Sequence, residues 1–466
     1  GFVQYQSAVT MRLSRSISSY EWGISRSIGF RDSSQDQIGL CHAFPDTART
    51  MLGHLMSAIH EDGSACHNFN PLTDEWGPNE HHDNHNWLAL TVSQYIKETG
   101  DEAFLKEKFP YTFSKRKGLA FDHLRRANDY AWKLRGKNGL MQMGAADWND
   151  ALNPANRDSE SMFTSALYCV STLAMIEIAE RLGETRYVST LRNRYRSVKR
   201  KMNGVGWDGR WYRRFINSNG DILGTSKAPK SIGRLFLEPQ PWAVFAGIAT
   251  GRRALQVLDN TEKMVGTPYG HKLMDRPFTY FDMDAHGSVS IQQGGVGMNG
   301  SVFSHASTWM ISAETYAGRG DKAMEYFKRM CAATKNRIAD RHECEPYVIA
   351  QWVSQPPFHT PGRARNSWLS GSAAWMAIGS LQRIIGCRPD FNGLIVDPCI
   401  PPEWEGFSMT RVFRGVRYNI DVTNPDGVSR GIRSLSVNGE EVKGEMIPYR
   451  ESDRGKTVQV NLVMGQ

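Results

Sequence analysis

No apolar run in this 466-residue chain approaches the roughly 18 residues that a membrane-spanning helix requires, so no membrane partner is expected. Charge of one sign is also scarce. The chain has 56 Lys and Arg against 48 Asp and Glu, a formal +8, scattered rather than gathered into blocks. Without a basic stripe or an RNA-binding signature, nucleic acid is excluded as the expected partner, and a mild attraction for anions is left. Seven cysteines form an odd set with no Cys-x-x-Cys spacing, which predicts reduced, mostly buried thiols in a cytoplasmic protein rather than a disulfide framework. A phosphate-binding Gly-x-x-x-x-Gly-Lys-Ser/Thr loop, a dinucleotide Gly-x-Gly-x-x-Gly after a strand and a Gly-x-Ser-x-Gly elbow are all missing. Nucleotide cofactors and serine-hydrolase chemistry are therefore not expected. The chain opens at Gly1 with neither an initiator Met nor a signal pattern, and reads as part of a longer protein.

Helical periodicity is plentiful. Leu88, Val92, Tyr95 and Ile96 share one face, as do Phe121, Leu124, Ala127, Ala131 and Leu134, and Ala166, Val170, Ala174, Ile178 and Leu182. Glu98-Thr99-Gly100-Asp101, Leu182-Gly183-Glu184 and Ala317-Gly318-Arg319-Gly320-Asp321 each offer a Gly stop followed by an acid suited to the next helix start. Repeated helix–short turn–helix units predict stacked helical hairpins, as in an α/α barrel. After about Cys387 the period changes to two: Val416, Tyr418, Ile420 and Val422 alternate, and Asn438-Gly439 marks a hairpin turn. The expected organisation is a helical lead-in over 1–20, a barrel over 21–386 and a small β-sandwich over 387–466.

The loops between helices carry the candidate chemistry. Asp147-Trp148-Asn149-Asp150 sets a Trp beside carboxylates. That combination suits a sugar site, where the ring covers a pyranose face and lowers the dielectric around an acid. A helix-capping Asp beside a core Trp explains the same four residues, and spacing alone leaves both readings open. Ser25 to Asp36 packs Arg26, Arg31, Asp32, Gln35 and Asp36 into one short span, suited either to phosphate and sugar hydroxyls or to a solvated salt-bridge cluster. His305 stands alone after a Gly/Ser-rich stretch. Ser370-Gly371-Ser372 leads into an apolar helix whose first N–H groups could hold an oxyanion, or simply be capped. His81-His82-Asp83-Asn84-His85 has i, i+4 histidines but lacks the metalloprotease Glu, so no metal is expected.

Together these segments resemble glycoside hydrolase family 94, the cellobiose and chitobiose phosphorylases. The likeness rests on Ser27–Asp36, Ala146–Asp150, Glu345-Pro346-Tyr347-Val348, Gln351, Ala364–Trp368 and Asp397–Pro401, in the family's order. It implies an (α/α)6 barrel with a C-terminal β-sandwich, the family's N-terminal β-sandwich lying upstream of Gly1. It implies Asp150 as general acid, Trp148 as the stacking ring, and Arg31, Asp32, Met298 and Glu345 around the sugar. For phosphate it implies Arg26, His305, Gln351, Ser370 and Gly371. The implied reaction is inverting phosphorolysis of a β-linked glucosyl disaccharide to α-glucose 1-phosphate, by a homodimer in the full-length protein. Inorganic phosphate is then a substrate, and no cofactor is needed. An inverting hydrolase or a non-catalytic glycan-binding protein would use the same scaffold. Where relatives have a Lys-Glu-Asn-Gly-Gly run, this chain has Gly297-Met298-Asn299-Gly300-Ser301, and the His81–His85 loop also departs from the family. An acceptor other than plain glucose follows, with cellobionic acid or laminaribiose as the disaccharides to consider.

Overall fold

The computed structural model describes residues 1–11, 27–70, 73–229 and 232–465. Helices dominate the part before Cys387: α1 (Phe2–Val9), α2 (Phe30–Leu40), α3 (Pro45–Ser57), α4 (Asn84–Thr99), α5 (Ala120–Lys133), α6 (Met162–Arg181), α7 (Thr185–Asn203), α8 (Pro239–Phe245), α9 (Gly251–Val265), α10 (Ser304–Tyr316), α11 (Gly320–Met330), α12 (Ala339–His342) and α13 (Ser372–Ala377). The Gly stops behave as their sequence predicts. Gly100, Gly183 and Gly318 all have positive φ, and Asp101 accepts from Phe104 N to open the next turn.

Two populations of helix alternate. In α2, α4, α6, α8, α10 and α13 most residues are buried, whereas α5, α7, α9 and α11 bury one stripe. Contacts follow the same division. Helix α2 packs on α4, α4 on α6, α6 on α8, α8 on α10, α10 on α13, and α13 returns to α2. Each buried helix also pairs with a neighbour: α2 with α3, α4 with α5, α6 with α7, α8 with α9, α10 with α11, and α13 with α1. Helix α6 corrects the reading of apolar runs. Its 20 residues include an 18-residue window of mean hydropathy 1.5, long and apolar enough to cross a membrane, but 78% of that window is buried inside the protein. A helix enclosed on all sides must be apolar all round.

Residues from Cys387 onward form two sheets. One joins Cys387–Asp390, Gly393–Val396 and Met446–Pro448; the other has five strands, including Gly406–Phe413, Val416–Thr423, Ile432–Val437 and Thr457–Met464. The alternating Val416, Tyr418, Ile420 and Val422 are all buried, and Asn438 and Gly439 take the positive φ of a tight hairpin. Val416–Thr423 runs parallel to Thr457–Met464, a pairing that alternation cannot reveal. Arg414 and Arg411 lock this part to the helices. Arg414 donates to the Lys97 carbonyl at the end of α4 (2.7 Å), and Arg411 pairs with buried Glu98. All seven cysteines are free thiols.

Candidate active site

The buried helices begin at one end of the ring, and short antiparallel ladders set those beginnings. Ile28–Gly29, Glu160–Ser161 and Val302–Phe303 each pair with another segment immediately before α2, α6 and α10. Arg31 and Asp32 thereby fall in the first turn of α2, His305 in the first turn of α10, and Ser370-Gly371 just ahead of α13. These residues line one pocket with Trp148, Asp150, Met298, Phe303, Gln351 and Leu369. Nine residues singled out from sequence thus converge from six stretches of chain. Arg26 lies outside the described residues. Glu345 is exposed on the loop beside Cys344 and does not line the pocket.

Asp147 to Asp150 form a loop in which each side chain has a separate task. Asp147 is fully buried and takes two bonds from the equally buried Arg214 (2.6 and 2.7 Å), with a third from Ser161 Oγ (2.7 Å). Burial alone would raise its pKa, but Arg214 and these bonds outweigh it and hold the carboxyl below the ordinary range. Asn149 donates to buried Glu238 and accepts from Leu152 N. Trp148 is 3% exposed and sits edge-on to Phe303, His305 and Trp309. The Trp is a core residue, but no helix follows this loop for either Asp to cap, and the same ring reaches the pocket wall. Asp150, its side chain 45% exposed, is the carboxylate of this loop that faces out.

Arg31 orients Asp150. One guanidinium nitrogen donates to Asp150 Oδ1 (2.7 Å), and the other reaches the Asp147 carbonyl (2.9 Å) and Asp83 (3.2 Å). Burial would lower the Arg31 pKa, but the surrounding Asp150, Asp83 and Asp32 raise it, so it stays charged. For Asp83, burial raises the carboxyl pKa while Arg31 pulls against it, and Trp87 Nε1 adds a bond (3.1 Å). Asp83 and Arg214 are the residues that sequence reasoning missed. The only available signal for Asp83 was its i, i+4 spacing to Trp87 at a helix start.

Across the pocket, His305 Nε2 is bonded to Gln35 Oε1 (2.9 Å), which also accepts from Trp375 Nε1 (2.9 Å). Gln351 Oε1 accepts from Asn366 (2.9 Å), and the Ser370 hydroxyl meets that of Ser372 (2.6 Å). On the outer side of Asp150, His81 Nε2 lies 3.9 Å from Oδ1 and its ring stacks on His67 at 3.8 Å. Burial lowers the pKa of both rings, His81 to about 4, so both are neutral near pH 7. Donor atoms of His67, His81 and Asp150 lie within 4.8 Å of one another. The rings are tilted by only 18°, however, so their lone pairs occupy near-parallel planes and do not converge on one ion. Gly144 holds this loop against the Asp147–Asp150 loop. Its φ is +66°, and a Cβ there would sit 2.1 Å from the Glu80 carbonyl oxygen.

Comparison with known proteins places this geometry. The chain is 32% identical over 99% of its length to an N,N'-diacetylchitobiose phosphorylase of Vibrio proteolyticus, and spans 60% of that protein. It is 30% identical over 89% of its length to a 3-O-beta-D-glucopyranosyl-beta-D-glucuronide phosphorylase of Paenibacillus borealis, covering 52% of it. The chain thus spans little more than half the length of these relatives. Its fold matches that of a GH78 family rhamnosidase of Bacillus sp. GL1 with a TM-score of 0.62 at 13% identity, over 92% of this chain and 42% of that one. Residues 1–386 match the model of the Glycosyl hydrolase 94 superfamily catalytic domain, and the chain belongs to that family.

Proposed function

We propose that the protein containing this chain performs inverting phosphorolysis of a β-linked glucosyl disaccharide, releasing α-glucose 1-phosphate and an acceptor sugar. In this reading the closed set of contacts from α2 round to α13, with six partner helices, is an (α/α)6 barrel, and the two sheets after Cys387 are a β-sandwich. The observation that carries the proposal is the asymmetry of the pocket. The carboxylates Asp150 and Asp32 belong to one charge cluster around Arg31, whereas His305, Gln351 and Ser370 bring hydrogen-bonding groups and no carboxylate.

Asp150 protonates the glycosidic oxygen as the bond breaks, and Arg31 holds it in place. Phosphate, bound by His305, Gln351, Ser370 and Gly371 on the other face of the sugar, attacks the anomeric carbon, which inverts its configuration. Trp148 supplies the apolar wall. An inverting hydrolase would need a base carboxylate on that far face to activate water. An anionic nucleophile removes that need and instead requires hydrogen-bond donors there.

The acceptor subsite falls around Asp150, where Met298, His81 and His67 lie. Met298 offers no hydrogen-bond acceptor for sugar hydroxyls, and neutral imidazoles can donate N–H to a carboxylate. An acidic acceptor, an aldonate or a uronate, fits this chemistry, and the likeness to a glucuronide phosphorylase supports it. Rates of phosphorolysis of cellobionic acid, cellobiose and laminaribiose by the full-length protein test it. The acidic disaccharide is expected to be fastest, and a clear preference for cellobiose would reject the acidic acceptor.

A further inference from the structure

A second cavity, of about 280 Å³, lies where the C-terminal halves of the six mutually packed helices meet, at the opposite end from the pocket. The two cavities share a wall: Trp375 lines this one and donates through Nε1 to the Gln35 that holds His305. Aromatic rings of Trp242, Phe245, Tyr316 and Trp375 form much of its surface. Two buried donors in it have no acceptor among the described residues. Trp242 Nε1 and Ser312 Oγ, in residues 1% and 2% exposed, have no hydrogen-bond partner among the described residues. Arg383 has no hydrogen bond or ion pair there either, and lies 4.4 Å over the Tyr316 ring. Buried donors such as Trp242 Nε1 and Ser312 Oγ are costly to leave unpaired.

Among the described residues, Arg383 is the cation of this cavity without a paired acid. Lys97, in the same cavity, is neutralised by Glu177 at 2.7 Å. Asp397, the acid felt by Arg383, is already held by Arg388 (3.3 Å) and Arg430 (2.5 Å). Arg383 is carried on a π-helical turn, Ile378–Ile384, which follows α13 directly. Such turns interrupt a helix at an energetic cost and recur at functional sites.

We propose that this cavity binds a sugar monophosphate. The phosphate would pair with Arg383, whose planar fork matches it. A pyranose face would lie on the aromatic wall, with the Trp242 and Ser312 donors directed at sugar oxygens. The volume suits one sugar and lies just below the range typical of drug-sized ligands.

Calorimetric titration of the full-length protein with glucose 6-phosphate tests this without reference to turnover, so it stands apart from the phosphorylase reading. We expect binding that weakens at least about tenfold in Arg383→Gln, recovers in part in Arg383→Lys, and is unchanged in His305→Asn. Unphosphorylated glucose should bind at least about tenfold more weakly than glucose 6-phosphate. Ser312→Ala, which removes one donor without filling the cavity, should also weaken binding and serves if Arg383→Gln does not fold. Native affinity in both Arg383→Gln and Ser312→Ala would overturn the proposal. So would loss of binding in His305→Asn alone, or a native Kd weaker than about 1 mM.

Discussion

The Arg31 guanidinium bonds to Asp150 at 2.7 Å while its other nitrogen reaches buried Asp83 and the Asp147 carbonyl. In the proposed reaction Arg31 positions Asp150 from the pocket wall, because its two terminal nitrogens are bonded to protein oxygens. Arg31→Lys keeps a charge beside Asp83 but cannot span both partners. It should lower kcat by about 10²-fold with a much smaller change in KM, since misplacing a catalytic group costs rate more than ground-state binding. Steady-state kinetics on the best disaccharide give both constants.

Asp147 and Arg214 should matter for stability rather than for chemistry. Both are fully buried, so Arg214→Met leaves an unpaired carboxylate and should cost about 3–5 kcal/mol, read by denaturant unfolding. Asp147 adds a pH signature. Its pKa is depressed in the fold, so the pair contributes stability above the unfolded value near 3.9, and this is lost as pH falls through the folded value.

The histidine loop predicts a second acid sensitivity at higher pH. Burial lowers His81 and His82 to about 4 and His85 to about 3. The unfolded chain, with values near 6.5, binds protons first as pH drops. Stability from these neutral rings is therefore complete above about pH 6.5 and is lost progressively towards pH 4. Each ring loses at most about 1.4 kcal/mol for every pH unit crossed, and less where solvent screens it. Melting curves of native protein and His85→Asn between pH 7 and 4 should converge as pH falls, since the variant lacks one of these groups.

Gly144→Ala tests the contact between the two site loops. A Cβ would lie 2.1 Å from the Glu80 carbonyl oxygen, at a φ of +66°. The substitution should destabilise the protein by about 1–3 kcal/mol and shift His81 away from Asp150. Unchanged melting and unchanged kinetics would show that the loop tolerates the displacement.

The sequence made several of these features legible and hid others for physical reasons. Helix faces such as Leu88–Ile96 and the strand alternation of Val416–Val422 could be read directly, because periodicity reports which side is buried. Helix α6 was legible only as the Ala166–Leu182 stripe. Yet Val170 and Ala174 are half-buried while Leu167, Tyr168 and Met175 lie in the core, because a helix packed on several sides has no single buried face. At the site, Trp148, Asp150 and Arg31 were visible as candidates, but the buried partners of Asp147 and Arg31 were not. Arg214 lies 67 residues from Asp147, and Asp83 lies 52 from Arg31, so only the fold brings them together. The parallel pairing of Val416–Thr423 with Thr457–Met464 was likewise beyond any local pattern.

The central claim is that Asp150 protonates the leaving sugar while phosphate attacks from the opposite face. It is tested most directly by measuring both α-glucose 1-phosphate and free sugar released from a β-disaccharide panel, with and without phosphate, by the full-length protein and its Asp150→Asn variant. The account predicts product only with phosphate, and a fall of about 10²–10⁴-fold in the variant with melting unchanged. Sugar release independent of phosphate, or native turnover in Asp150→Asn, would contradict it.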